Sequence, residues 1–175
     1  MTRYAILLRG VNVSGKNRLP MADFRAMLAE MGYEKPVTYI QSGNAVVDSD
    51  DPAARVAEGV GQGIAARFGF STPVLVMTLD QMQAVLTGHR FADAAENRVH
   101  AFFLQGAQPG LTNTSLAAHA AAGEEWQLLP DALMLYTPDG IGTSKLADRL
   151  PRLIAGPTTA RNLRSLRAIV GLMRA

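Results

Sequence analysis

Between Arg3 and Met77 the hydrophobic pattern alternates between strand-like and helix-like periods, and that succession restricts the fold more than any single motif does. Arg3–Arg9 (RYAILLR) is a short aliphatic run stopped by Gly10, which reads as a strand. After Pro20, which suits a helix first turn, Phe24, Met27, Leu28 and Met31 recur at i, i+3, i+4 and i+7 until Gly32 ends the helix. Val37–Gln41 and Asn44–Asp48 read as strands joined at Ser42-Gly43, a hairpin signal. Asp50 or Asp51 stands where a helix cap is needed before Pro52, and Val56, Val60, Ile64 and Phe68 form the stripe of the helix that follows. Gly59, Gly61 and Gly63 weaken that helix relative to alanine and suit a place where another backbone approaches closely. Pro73–Met77 is the fourth strand.

The order is βαββαβ, which predicts an α+β fold with a ferredoxin-like N-terminal half. Beyond the helix at Leu79–Thr87 and a polar connector at Phe91–Asn97, the chain restarts. Val99–Leu104 reads as a strand, Leu116–Ala122 as a short helix, and Trp126–Leu129 with Leu133–Tyr136 as a hairpin across Pro130-Asp131. Helices are expected over Ser144–Leu153 and Thr159–Met173. The C-terminal half is therefore expected to be a related βαββα(α) unit, residues 91–175 packed on residues 1–90 in one compact body. Sequence identity between the halves is not visible, so the repeat is one of architecture.

Charge is distributed unevenly. Residues 1–22 carry Arg3, Arg9, Lys16 and Arg18 and no acid, and residues 149–175 carry six arginines and no acid, while the net charge is only +2. If the two ends meet they form a surface suited to an anionic partner; if they pair with the acidic middle they do not. The chain contains no cysteine, which excludes thiolate chemistry and disulfides. No apolar run approaches the ~18 residues of a membrane span, and the stretch from Tyr4 to Leu8 is too short for a secretory signal, so a cytoplasmic location and no membrane partner are expected.

Topology brings two polar clusters together. In a βαββαβ sheet the end of the first strand and the turn between the second and third lie on one edge, so Arg9-Gly10-Val11-Asn12 and Gln41-Ser42-Gly43-Asn44 should be neighbours. Glycines let backbone amides turn outward there, and Arg9, Lys16 and Arg18 supply positive charge. A second anion-binding candidate is Gly140-Ile141-Gly142-Thr143-Ser144-Lys145, with Thr143 or Ser144 capping a helix beside a lysine; Arg161 and Asn162 open the last helix in the same style. Turn and capping chemistry explains the same residues without a ligand. Lys16 and Lys145, two of only three lysines, are expected to serve these loops rather than the fold.

Several chemistries are disfavoured. Gly10-x-x-x-x-Gly15-Lys16-Asn17 nearly spells a nucleotide phosphate loop, but Asn17 replaces the hydroxyl that holds Mg²⁺ and the helix begins too late. His89, His100 and His119 are isolated, Asp48, Asp50 and Asp51 read as capping residues, and no metal or cofactor is expected. The third strand, Asn44-Ala45-Val46-Val47, lacks the aromatic rings on which ferredoxin-like RNA-binding modules stack bases.

These motifs resemble a bacterial family catalogued as domain of unknown function number sixteen ninety-seven. The resemblance rests on Leu7-Leu8-Arg9-Gly10-Val11-Asn12-Val13 with Gly15-Lys16-Asn17, on Thr38-Tyr39-Ile40-Gln41-Ser42-Gly43-Asn44, on Phe68-Gly69-Phe70, on Asp139–Leu146, and on Thr159-Ala160-Arg161-Asn162. Leu163 departs from it, standing where the family typically has tryptophan. The resemblance implies ferredoxin-like α/β halves and a bacterial cytoplasmic setting, and it implies no activity. The residues therefore favour a binder of a phosphate-bearing ligand, either a nucleotide-like small molecule or a nucleic-acid backbone. The alternatives are a metal-independent enzyme using Arg9, Asn12, Gln41, Ser42 and Asn44, and a protein-interaction module using its strand edges.

Overall fold

The hairpin of β2 (Glu34–Tyr39) and β3 (Asn44–Ser49) seats β3 against β1 (Thr2–Leu8), and β1 takes β4 (Val74–Thr78) on its other side. All three ladders are antiparallel, giving the order β2-β3-β1-β4 in a computed structural model that describes residues Met1–Ala175. Because side chains alternate along a strand, Tyr4, Ile6 and Leu8 of β1 fall on one face with Ala45 and Val47. That face packs against Phe24, Met27 and Leu28 of α1 (Met21–Glu30) and Val56, Val60 and Ile64 of α2 (Ala53–Phe68). Helix α3 (Leu79–Thr87) follows β4 directly. Of the three α2 glycines, Gly63 is the tightest: a Cβ there would stand 3.0 Å from the Met31 sulfur and 3.2 Å from that of Met27.

The second sheet repeats the strand order. Its members are β5 (Val99–Phe103), β6 (Glu125–Leu128), β7 (Ala132–Tyr136) and β8 (Ala160–Asn162), arranged β6-β7-β5-β8 and again antiparallel throughout. Helices α4 (Asn113–Ala117) and α5 (Lys145–Leu153) accompany it, Leu146 and Leu150 of α5 pack on Phe102, Leu133 and Leu135, and α6 (Leu163–Arg174) follows β8. The protein is thus a mixed α+β fold of two four-stranded antiparallel sheets and six α-helices. Met1–Gln83 and Arg167–Ala175 form one unit and Ala84–Leu166 the other, so the end of α6 belongs with the first unit. No helix is long and apolar enough to cross a membrane.

Four expectations need correction. The last helix does not begin at Thr159: Ala160–Asn162 is a strand paired with β5, and the helix starts at Leu163, where the Asn162 side chain accepts from the Ser165 amide at 2.9 Å. The second half is therefore βαββαβα rather than βαββα(α). Helix α4 lies earlier than Leu116–Ala122, because Thr112 and Ser115 form a reciprocal capping box at 3.0 Å in each direction. Pro52, not Asp50 or Asp51, is the N-cap of α2; Asp50 instead holds the N-terminal amine at 2.9 Å, and the Asp51 amide donates to Ser49 Oγ at 3.1 Å. Strand β2 begins at Glu34 and includes Pro36, with a register shift before Val37 that an edge strand tolerates.

Candidate functional site

The chain between β1 and α1 folds back on itself as a miniature hairpin. Ser14 and Gly15, both with positive φ, make its turn, Lys16 donates its amide to Val13 at 2.9 Å, and the Asn12 amide reaches Asn17 at 3.0 Å. Asn12, at φ 55°, spends its whole side chain on main chain: Nδ2 donates to Leu19 at 2.9 Å and to Gln41 at 2.8 Å, and Oδ1 accepts from the Leu19 amide at 2.8 Å. Asn44 is fully buried and donates to the Tyr39 carbonyl at 3.0 Å and to Ser42 Oγ at 2.9 Å. The two polar segments are therefore neighbours, joined also by the Leu8 amide donating to the Gly43 carbonyl at 2.9 Å. Their asparagines hold the loops together. Arg9, Lys16, Arg18 and the side chain of Gln41 are exposed around them. Of Arg3, Arg9, Lys16 and Arg18, only Arg3 joins an ion pair, with Asp48 at 3.1 Å, and it also donates to the Leu172 carbonyl at 3.3 Å, tying the chain's two ends within the first unit.

The second candidate loop lies in the other unit. Residues Ile141–Thr143 make one 3₁₀ turn, and the buried Ser144 caps α5 by accepting from the Ala147 amide at 3.0 Å. Thr143 and Lys145 are exposed and border a cleft of about 510 Å³ whose other walls include Phe102, Ile141, Asp148 and Ala160. A smaller cleft of about 260 Å³ lies between Lys145, Arg149 and Arg152 of α5 and His119 just beyond α4, with Asp148 as its single acid. The spacing i, i+4, i+7 puts the three bases on one side of the helix. None of them, nor Asp148, takes part in an ion pair. Lys145 and Asp148 border both clefts, so the two adjoin.

Arg161 and Asn162 serve the local backbone. Arg161 is buried, and its Nη1 donates to Thr159 Oγ1 at 2.7 Å and to the Ala160 carbonyl at 2.8 Å; burial lowers its pKa to about 10, which leaves it cationic at neutral pH. Sequence reasoning missed Asp148 and His119 as site residues and counted Arg149 and Arg152 only within a basic tail. The helical spacing of Lys145, Arg149 and Arg152 was a usable signal. Another cleft, about 740 Å³, sits in the first unit beside α2 and is a poorer candidate. Its charges answer one another, since Arg55 faces Asp51 at 3.9 Å and Gln62 donates to Glu58 at 3.3 Å. Burial, then the nearby Asp51, raises the pKa of its Tyr33.

On β5, His100 lies opposite Asn162 of β8, and its buried Nδ1 has no hydrogen-bond partner. Burial pushes its pKa down from 6.5 to about 4. The unfolded chain therefore binds a proton at a pH where the folded chain does not, so the stability this histidine confers is complete above pH 6.5 and falls as the pH drops toward 4. With partial exposure discounted, the loss is on the order of 2 kcal/mol. Urea midpoints at pH 7.5 and 4.5 should converge for His100→Phe relative to wild type; equal acid sensitivity of the two proteins would sink the assignment.

A two-unit α+β protein with a cationic groove along one helix is the class that fold and site define. The chain belongs to the family described as "Protein of unknown function (DUF1697)", whose model matches residues 1–133 and stops short of α5. No curated protein matches the chain. Among solved structures, the conserved bacterial protein SP0830 from Streptococcus pneumoniae is similar in fold, with a TM-score of 0.78 and 23% sequence identity over 98% of each chain.

Proposed function

We propose that this protein binds a phosphate-bearing ligand, a nucleotide or a nucleic-acid backbone, on the basic side of α5, within the second of two ferredoxin-like halves. The observation that carries the reading is the set of four basic side chains, His119, Lys145, Arg149 and Arg152, around one groove with no ion pair to any of the three α5 bases. Like charges at i, i+4 disfavour a helix, and a lysine in its first turn opposes the helix dipole. A bound phosphate relieves both. Acid–base chemistry at the end of β1 is the weaker reading, because the Asn12 and Asn44 side chains it requires are bonded to main chain.

The test is a titration with a fluorescent single-stranded oligonucleotide across a salt series. Affinity should fall with salt, with a log–log slope of roughly −2 if three phosphates are neutralised. The triple variant Lys145→Ala, Arg149→Ala, Arg152→Ala should weaken binding at least tenfold, whereas Lys16→Ala should change it less than twofold. A loss confined to Lys16→Ala would move the site to the β1 loop, and salt-indifferent binding would remove the phosphate reading altogether.

A further inference from the structure

We infer that the ligand is a ribonucleoside 5′-monophosphate, its phosphate held by Arg149, Arg152 and Lys145 in the smaller cleft and its nucleoside seated in the adjoining larger one. The inference rests on the phosphate reading above and adds the chemistry of the second cleft. Phosphate alone needs only the basic groove. The larger cleft has Phe102, Ile141 and Ala160 among its walls, an apolar portion that gives a flat ring a contact face beside Thr143, Lys145 and Asp148, and its volume of about 510 Å³ is within the range of small-molecule sites. Between the two stands Asp148, the one carboxylate among the bases and free of any ion pair. An ionised carboxylate only accepts hydrogen bonds. Against a bare phosphate it repels, whereas against the vicinal hydroxyls of a ribose it finds two donors, the role an acidic residue fills in dinucleotide sites.

Arg152 and Arg149 border the smaller cleft alone, Asp148 and Lys145 border both, and Ile141 walls the larger one, so bases, a carboxylate and an apolar wall follow one another across the two clefts. A nucleotide presents the complements in the same order: phosphate, ribose, ring. Inorganic phosphate lacks the last two, and a nucleoside lacks the first.

The experiment is calorimetric titration of the full chain at low salt with the four ribonucleoside 5′-monophosphates, a 2′-deoxy counterpart, the nucleosides and inorganic phosphate. At least one ribonucleotide should bind ten times more tightly than phosphate or its own nucleoside. Gly142 borders the larger cleft, has no positive φ, and a Cβ built on it meets no atom within 4 Å, so Gly142→Trp should obstruct that cleft without straining the fold. It should reduce nucleotide affinity to the level of phosphate and leave phosphate binding unchanged. The exposed Thr143→Trp is the second obstructing variant should the first fold poorly. Asp148→Asn should bring ribo- and deoxynucleotide affinities within twofold. If phosphate and nucleotides bind equally and Arg149→Ala weakens both, the nucleotide inference is overturned while the phosphate reading stands. If an oligonucleotide binds and no mononucleotide does, it is likewise overturned. If nothing phosphorylated binds, both fall.

Discussion

Replacing Asn12 by alanine is expected to destabilise the protein by about 3 kcal/mol, more than a surface-loop substitution ordinarily does. The side chain makes three hydrogen bonds to main chain, and two of its partner groups, the amide and carbonyl of Leu19, belong to a residue with no exposed surface. Each main-chain group left unpaired out of reach of water costs about 1–3 kcal/mol. Alanine must also adopt the positive φ that asparagine tolerates. Asn12→Asp keeps the acceptor for the Leu19 amide and the left-handed preference, so its loss should fall between wild type and alanine. Chemical denaturation of the three proteins reads this order directly. If aspartate were as damaging as alanine, the donor bonds to Leu19 and Gln41 would be carrying the whole effect.

That result bears on how much of the site was legible in the sequence. Polar residues in glycine-rich loops attract a functional reading, yet Asn12, Asn44, Ser144 and Asn162 each bond to main chain in the structure. Their types are those that turns and caps select, and a sequence does not separate a capping asparagine from one that faces a ligand. The bases of α5 are a different case. Their helical spacing was in the sequence, but His119 comes from a segment 26 residues before Lys145, and only the packing of α4 and α5 brings it to the groove.

The fold divided in the same way. Strand β1 was readable as a continuous aliphatic run buried on both faces, and α2 by the stripe that one-sided burial imposes on it. Strand β8 was not. Ala160-Arg161-Asn162 has no alternation to detect and includes an arginine that the fold buries, so only its ladder with β5 makes it a strand. Helix α4 misled for another reason. The alanines after Leu116 favour helix by propensity, but the helix is five residues long and stops at Ala117. Propensity summed over so short a segment is a weak guide.

Gly43→Ala should destabilise the protein by roughly 3 kcal/mol, and the argument is one of space as well as dihedral angle. Gly43 sits at φ 85°, where an L-residue loses about 1–2 kcal/mol. A Cβ there would also lie 2.6 Å from Val11 Cγ2 and 2.8 Å from Leu8 Cβ, and both neighbours are buried core residues with little room to withdraw. Overpacking of this kind adds about 1–3 kcal/mol. Gly15→Ala provides the control, since its φ is 73° but a Cβ meets nothing within 4 Å, so only the backbone penalty applies. If the two variants unfold at the same urea concentration with unchanged slopes, Val11 and Leu8 yield easily and the close approach contributes nothing. A double-mutant cycle with Asn12→Ala extends the test. Asn12 and Gly43 join the same two segments, Asn12 through the Gln41 carbonyl and Gly43 through the close approach to Val11 and Leu8 that lets its carbonyl accept from the Leu8 amide. Once either tie is broken, the other has less to hold, so the combined loss should fall short of the sum by about 0.5 kcal/mol or more. Strict additivity would mean that the β1 end and the hairpin are anchored independently, and that the juxtaposition of Arg9, Lys16 and Gln41 is not maintained by these two residues.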